Sequence, residues 1–281
     1  MTVSKAVLIT GCSSGIGRAT AARLSDVGWR VYATARNVED IAPLEERGCI
    51  VLPLDVTDED SMVSSVDEVE RREGAVGVLV NNAGYSQSGA VEAVPMDKIR
   101  RQFETNVFGL VRMCQLVLPG MRRQAYGRIV NVSSMGGKLT FPGAGYYHAS
   151  KHAVEAISDA LRFEVEGFGV KVSVIEPGLI RTGFANAAVG SMDGQEEGPY
   201  AGFDEAVARA TTENYEQGPI SRLAGEPEAV AEAIEHALSA RSPRSRYAVT
   251  SSAHLFLGLR RLLPDGVWDA TLRTSFPQPG R

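Results

Sequence analysis

The chain has little of what would mark it as secreted, membrane-spanning or nucleic-acid-binding. It holds three cysteines, Cys12, Cys49 and Cys114. An odd number cannot be paired off internally, and the spacings match no zinc-ligand pattern. Reduced thiols in a cytosolic chain are the expectation. No apolar run approaches the roughly 20 residues that a membrane-crossing helix needs. The opening "MTVSKAVLIT" lacks the layout of a signal peptide. Together these readings predict a cytoplasmic protein with no transmembrane segment. Basic residues are outnumbered, 29 Lys and Arg against 34 Asp and Glu, for a formal charge of −5. That balance argues against nucleic acid, which takes a basic face. Internal repeats and low-complexity linkers are also missing.

What the chain does have is alternation. Short apolar runs, "AVLIT", "WRVYATA", "CIVLPLDV", "VGVLVNNAG", "GRIVNVSS", "VKVSVIEPG" and "SRYAVT", read as seven strands. Between them lie stretches with helical spacing: "ATAARLSDVG", "SMVSSVDEVERRE", residues 96–123 with a break, residues 145–166, and "EPEAVAEAIEHALSA". Strands that are apolar throughout and alternate with helices predict an α/β fold. Its core is a doubly wound, seven-stranded parallel sheet with helices on both faces. Residues 1–281 are read as a single domain. Residues 181–222 interrupt the rhythm with Gly, small and acidic residues, as a functional loop does. The tail, 251–281, is apolar on one helical face and is suited to close a pocket, meet a subunit or touch a membrane surface.

"TGCSSGIG" follows the first strand and opens the first helix. Glycines there let the backbone approach a pyrophosphate, and the helix start supplies free amides and a positive dipole end. Thr10, Gly11, Ser13, Ser14, Gly15, Ile16 and Gly17 are therefore candidate cofactor-binding residues in a Rossmann-type fold. Cys12, within the turn, reads as a small filler rather than an oxidant-sensitive thiol. The second strand ends in "ATARN". A carboxylate there would bind the ribose hydroxyls of NAD. Arg36 suits a 2′-phosphate instead, so NADP(H) is favoured over NAD(H). Asp55 ends the third strand, placed to accept from an adenine amino group or to cap the next helix. Asn82, Ala83 and Gly84 close the fourth strand with side chains small enough for close approach to a cofactor.

"GYYHASK" sets two tyrosines before a lysine. Tyr147 and Lys151 are four apart and share a helix face; Tyr146 and Lys151 do not. An ammonium near a phenol favours phenolate and lowers its pKa. Tyr147 is thus the candidate acid/base for moving a proton to or from a carbonyl oxygen. "NVSS" supplies Ser133 and Ser134 at the carboxyl edge of the sheet, where a second donor is needed. His148 and His152 are four apart, but no third metal ligand accompanies them, and they read as polar helix positions; no metal is expected. Tyr85, Met135, Phe141 and Phe184 are candidates for either a pocket wall or the core.

"TGCSSGIG", "NNAG", "NVSS", "YHASK" and "EPGLIRT" together resemble the short-chain dehydrogenase/reductase family, in its order and spacing, over about residues 4–250. The family's serine stands 13 residues before its tyrosine, which implies Ser134. The resemblance implies that Asn106, in a bent helix, completes a proton relay with Ser134, Tyr147 and Lys151. It also implies that Tyr147 and Lys151 hold the nicotinamide ribose. Pro177, Gly178, Ile180 and Thr182 would line the nicotinamide, and Asp55 with Val56 would hold adenine. Residues 181–222 match the family's substrate loop. The chain is most similar to the 17β-hydroxysteroid and retinol dehydrogenase-like branch, on "LITGCSSGIG", "VYATAR" and the C-terminal extension. That branch implies an apolar alcohol, ketone or aldehyde as substrate, interconverted by hydride transfer. The family also implies a homodimer or homotetramer through the helices carrying Asn106 and Tyr147. Two other readings compete. An NADP-sensing regulator would have no need of Ser134, Tyr147 and Lys151 together. An epimerase or dehydratase using bound dinucleotide would carry a larger C-terminal substrate domain.

Overall fold

The computed structural model describes residues 3–192 and 198–279. The chain ends and residues 193–197 of the expected substrate loop lie outside the described residues. Seven strands form one sheet: β1 (Val7–Ile9), β2 (Val31–Ala35), β3 (Ile50–Pro53), β4 (Val78–Asn81), β5 (Gly127–Val132), β6 (Val170–Pro177) and β7 (Arg246–Val249). Their order is β3-β2-β1-β4-β5-β6-β7, and every pairing is parallel. Val7 of β1 stands opposite Val31 on one side and Val78 on the other. The winding direction therefore reverses between β1 and β4, which opens a crevice beyond their carboxyl ends.

The sheet is apolar on both faces because helices cover both. Side chains alternate along each strand, and the two cores divide accordingly. Val7, Ile9, Val31, Ala33, Val78 and Val80 pack with α1 (Gly15–Asp26), α8 (Pro227–Ser239) and the 3-10 segment Val38–Arg47. Leu8, Tyr32, Leu79 and Ile129 pack on the other side with α2 (Glu59–Glu73), α4 (Gly109–Arg123) and α5 (Gly145–Val165). Local signals set the helix ends. Asp58 accepts from Ser61 N at 3.0 Å to start α2, and Gly74 ends it at φ 85°. The expected break in 96–123 is a π-helical turn, Glu104–Phe108, between α3 (Met96–Phe103) and α4.

The loop expected at 181–222 carries two helices, α6 (Phe184–Gly190) and α7 (Ala201–Thr212), and a second π-helical turn, Glu213–Gln217. The tail forms α9 (Ser251–Leu262) and α10 (Asp265–Leu272). It packs behind one end of the crevice. Ser252 Oγ accepts from Leu179 N at 2.9 Å, and Phe256 and Trp268 pack on Phe141 at ring separations of 5.7 and 6.0 Å. Thr250, which caps α9, is held at φ 88°, a conformation that β-branched residues avoid. Its hydroxyl accepts from Ala253 N at 3.3 Å. Among the described residues, no helix is long and apolar enough to cross a membrane.

Candidate active site

The crevice beyond β1 and β4 is a cavity of about 630 Å³. At one end stands the glycine turn. Gly11 approaches the fourth strand so closely that a β-carbon there would lie 2.8 Å from Ala83 Cα. A β-carbon on Gly17 would lie 2.2 Å from the Gly11 carbonyl. Asn82 locks this packing, its amide donating to the carbonyls of Thr10 (3.0 Å) and Gly11 (2.9 Å). Thr10 Oγ1 accepts from the backbone of Asn82 and Ala83, both at 3.0 Å. Thr10 and Gly17 thus stand behind the wall and shape it, while Gly11, Ser13, Ser14, Gly15 and Ile16 line it. Ser14 precedes α1 without a side-chain capping bond, so the first amides of the helix remain as donors at the cavity. Those donors and a helix dipole fit a pyrophosphate. Cys12 is fully buried, and burial pushes its thiol up to about 12, which fits a packing role.

Arg36 stands exposed at the end of β2. With Ser13, Ala35, Asn37 and Asp40 it lines a side recess of about 370 Å³. Arg18, which the sequence reading passed over, braces this corner by donating to the carbonyls of Ser13 (2.5 Å) and Asp40 (2.7 Å). Further along the wall come Leu54, Asp55, Val56 and Thr57. Asp55 Oδ1 is taken by the Thr57 amide and hydroxyl, at 2.9 and 2.8 Å. The cap of α2 falls to Asp58 instead.

The middle of the cavity holds the proton-transfer residues. Ser134 Oγ accepts from Gly136 N at 3.0 Å, and its hydroxyl lies near enough to Tyr147 to act on the phenol. Ser133 Oγ is buried behind it, against Gly137, and finds no partner among the described residues. Packing therefore separates the two serines. Lys151 Nζ donates to the carbonyl of Val132 at 2.8 Å and lies 5.8 Å from the Tyr147 ring centre. Asn106 stands one layer back, buried, and makes three bonds. It accepts from Tyr85 N (3.1 Å) and donates to Tyr85 O and Ser150 Oγ (both 3.0 Å). Tyr146 turns away and donates to Val91 O at 2.9 Å.

The electrostatics correct one expectation. Lys151 does not bring Tyr147 below an ordinary phenol. Burial outweighs every favourable interaction and pushes Tyr147 up to about 12, opposed only by the nearby Ser134 hydroxyl. Burial also pushes Lys151 down to about 8, with the Glu155 charge pulling the other way. Around neutral pH the pair is thus a neutral phenol beside an ammonium that gives up its proton easily. One turn along α5, an ion cluster around the buried carboxylates of Glu155 and Glu176 escaped the sequence reading. Glu155 Oε2 pairs with Lys138 Nζ (3.1 Å) and Arg246 Nε (3.0 Å), and Glu176 lies 3.3 Å from the same Arg246 nitrogen. Burial and the neighbouring Glu155 push Glu176 up to about 7. The cluster ties β6, β7 and α5 together beneath Lys151.

The far end of the cavity is lined by side chains from separate elements. Pro177, Gly178, Ile180 and Thr182 follow β6, and a β-carbon on Gly178 would meet Ser252 Oγ at 2.4 Å. Phe184 lies 5.4 Å from the Tyr147 ring, and Tyr215 lies 6.3 Å beyond Phe184. On the other side of Tyr147 the rings continue through His148 (5.6 Å) to Phe141 (5.9 Å from His148). Tyr85 and Phe184 reach the wall; Met135 and Phe141 sit behind it in an apolar cluster with Leu179 and Phe256. Gln87, Lys98, Arg101, Thr105, Ala187 and Tyr215 also line the cavity and had no sequence signal. His148 Nδ1 accepts from Phe141 N at 3.2 Å, and His152 Nδ1 engages its own helix at His148 O. One ring nitrogen of each is committed to structure.

A phosphate-cradling turn, an edge-of-sheet tyrosine with serine and lysine beside it, and a shared cavity define a dinucleotide-dependent oxidoreductase. The short chain dehydrogenase profile matches residues 5–192. The chain belongs to the short-chain dehydrogenase/reductase family, whose members act on CH–OH groups and their carbonyl counterparts. It is 42% identical over 193 residues to the 3-ketodihydrosphingosine reductase of Bacteroides thetaiotaomicron, covering 68% of this chain and 70% of that one. To the NADPH-dependent 3-dehydrocapnine reductase of Ornithobacterium rhinotracheale it is 35% identical over 271 residues, 93% and 94% of the two chains. Rat retinol dehydrogenase 16 is 35% identical over 288 residues, 98% of this chain and 90% of that. Among solved structures, a short-chain dehydrogenase from Streptomyces avermitilis superposes with a TM-score of 0.77 at 35% identity, covering 95% and 93%.

Proposed function

We propose that this protein is an NADP(H)-dependent reductase of apolar ketones or aldehydes, running also as an alcohol dehydrogenase. One observation carries the reading. Tyr147, with the Ser134 hydroxyl and Lys151 beside it, stands where a glycine-turn cavity passes into a ring-lined one. The cofactor, when bound, supplies the hydride that reduces the carbonyl carbon. Gly11 to Ile16 would hold its pyrophosphate, Arg36 its 2′-phosphate, Asp55 and Val56 its adenine, and Pro177 to Thr182 its nicotinamide. Asn82, Ala83 and Gly84 would border it, and Thr10 and Gly17 would support it from behind. Lys151 and Tyr147 would hold the ribose. The NADPH requirement in the name of the 3-dehydrocapnine reductase supports Arg36 in this role.

Ser134 orients the carbonyl oxygen, and the Tyr147 hydroxyl gives it a proton. A phenol pushed up to about 12 is fully protonated at neutral pH and ready to act as the acid. The Lys151 ammonium stabilises the tyrosinate that forms. Asn106 acts through Tyr85 and Ser150, as a positioning residue and the start of a relay to solvent. The relatives named for sphingoid, capnine and retinol substrates support a lipophilic carbonyl compound. A homodimer or homotetramer through α4 and α5 completes the reading; Phe108, in the π-helical turn before α4, is 54% exposed and Phe163 of α5 is 83% exposed, and light scattering would weigh the assembly. The enzymatic test is NADPH oxidation followed at 340 nm with long-chain ketones, steroids and retinaldehyde. Turnover of apolar carbonyls above short polar ones is expected. Turnover restricted to sugars or acyl thioesters would reject the reading.

A further inference from the structure

Tyr215 is a second phenol in the same cavity, and the proton transfer leaves it without a task. It sits on the π-helical turn Glu213–Gln217. The turn is braced on its C-terminal side, where Arg181 donates to Ser221 O at 2.9 Å and pairs with Glu226 at 2.8 Å, and Ile180 bridges to Gly225. Its ring packs with Met135, Leu179 and Ile220 and faces Phe184, which in turn faces Tyr147. Among the described residues nothing hydrogen-bonds the Tyr215 hydroxyl, although the ring lines the cavity. Burial pushes this phenol well above the ordinary range, and Tyr147 adds to the shift. The group is therefore a neutral donor at any physiological pH, close enough to Tyr147 for the two to interact.

The Tyr215 hydroxyl opens into the cavity with no protein partner among the described residues, so it is a donor that a ligand can take up. One ring's width separates it from the proton donor. We infer that Tyr215 recognises a second polar group on the substrate, a hydroxyl, oxo or amino group within a few bonds of the reacting carbonyl. The preferred substrate is then an amphiphile, with a polar pair of neighbouring carbons at Tyr147 and Tyr215 and an apolar chain against Phe184, Met135 and Leu179. Tyr215 binds and selects; it takes no part in the proton transfer. This inference rests on the carbonyl-reductase reading above.

The test compares two ketones of equal chain length, dodecan-2-one and 1-hydroxydodecan-2-one, in the wild type and in Tyr215→Phe. The variant keeps the ring and removes a hydroxyl with no protein partner, so its Tm should match the wild type. The wild type should favour the hydroxyketone in kcat/KM. Tyr215→Phe should lose about tenfold on the hydroxyketone, mostly in KM, and stay within about twofold on the plain ketone. Calorimetric binding of both ketones to the NADP-loaded protein separates this inference from the catalytic reading. A selective loss of hydroxyketone affinity supports the inference even where turnover is undetectable. Equal losses on both ketones, unchanged selectivity, or binding of neither ketone would overturn it.

Discussion

At the cofactor end of the cavity the wall is mostly backbone; at the substrate end it is mostly rings. Gly11, Gly15, Ala83 and Gly84 bring main chain to the surface, and the Asn82 amide fixes two carbonyls so that the turn cannot relax. Phe184, Tyr215 and the tyrosine of the active site form the other end, backed by Phe141, Phe256 and Trp268. A backbone cradle is specified by where side chains are missing, and it recognises what every dinucleotide shares. A ring-lined wall is specified by side chains from distant elements, and each ring can change without disturbing the sheet. One end is therefore built for a constant ligand and the other for a variable one. Tyr147 stands at the seam and serves both.

The largest expected effect is at that seam. Removing one hydroxyl, Tyr147→Phe, deletes the proton donor while leaving the ring against Phe184. General acid catalysis contributes about 10²- to 10⁴-fold. Ketone reduction should fall by roughly a thousandfold in kcat, with NADPH affinity within about threefold of the wild type in a fluorescence titration. A variant that still turns over within about tenfold would mean that the proton comes from elsewhere. A smaller effect belongs to the cofactor end alone. Arg36→Ala removes the exposed guanidinium beside Ser13 and Asn37. Charge-assisted hydrogen bonds are worth about tenfold to about a hundredfold in affinity, and solvent exposure favours the lower figure. The Kd for NADPH should rise accordingly while the Kd for NADH stays flat. Equal losses for both cofactors would show that Arg36 shapes the turn rather than reading a phosphate.

The same division explains what could be read from the sequence. Val7 to Ile9 and most of the other strands are predominantly apolar, so the sheet and its parallel sense were legible. The glycine turn was legible because its chemistry is local, eight residues between one strand and one helix. Tyr147 and Lys151 were legible from helical spacing. Three things were not. The choice between Ser133 and Ser134 was not in the residues themselves; only the spacing of the resembling family implied Ser134, and the structure buries Ser133 Oγ against Gly137. The direction of the Tyr147 shift needed burial, which overrides the nearby cation. Tyr215 and Trp268 needed the fold itself, because they stand 68 and 121 residues from Tyr147 in the chain and follow no shared period. The Glu155 and Arg246 pair, 91 residues apart, escaped for the same reason.

The smallest effect on catalysis should come from the tail, where it isolates the substrate end. Trp268 is 6% exposed, stacks on Phe141 at 6.0 Å, and lies under the Arg260 guanidinium at 5.8 Å. In a central core, Trp→Ala costs about 3–5 kcal/mol. Here Trp268 is the buried residue of α10, and its neighbours on that helix are solvent-facing. The cost should therefore be met by α10 lifting from the body rather than by unfolding of the sheet. Hydrogen exchange should rise in 263–276 and stay unchanged in β1 to β6. Phe141 would lose one of its ring partners, so the apolar end should loosen and KM for a long-chain ketone should rise a few-fold. NADPH affinity should move little, because Gly11 to Ile16 and Arg36 would hold the far end of the cofactor, away from this cluster. If Trp268→Ala instead lowers NADPH affinity as much as ketone affinity, the two ends are mechanically coupled and the separation drawn between them fails.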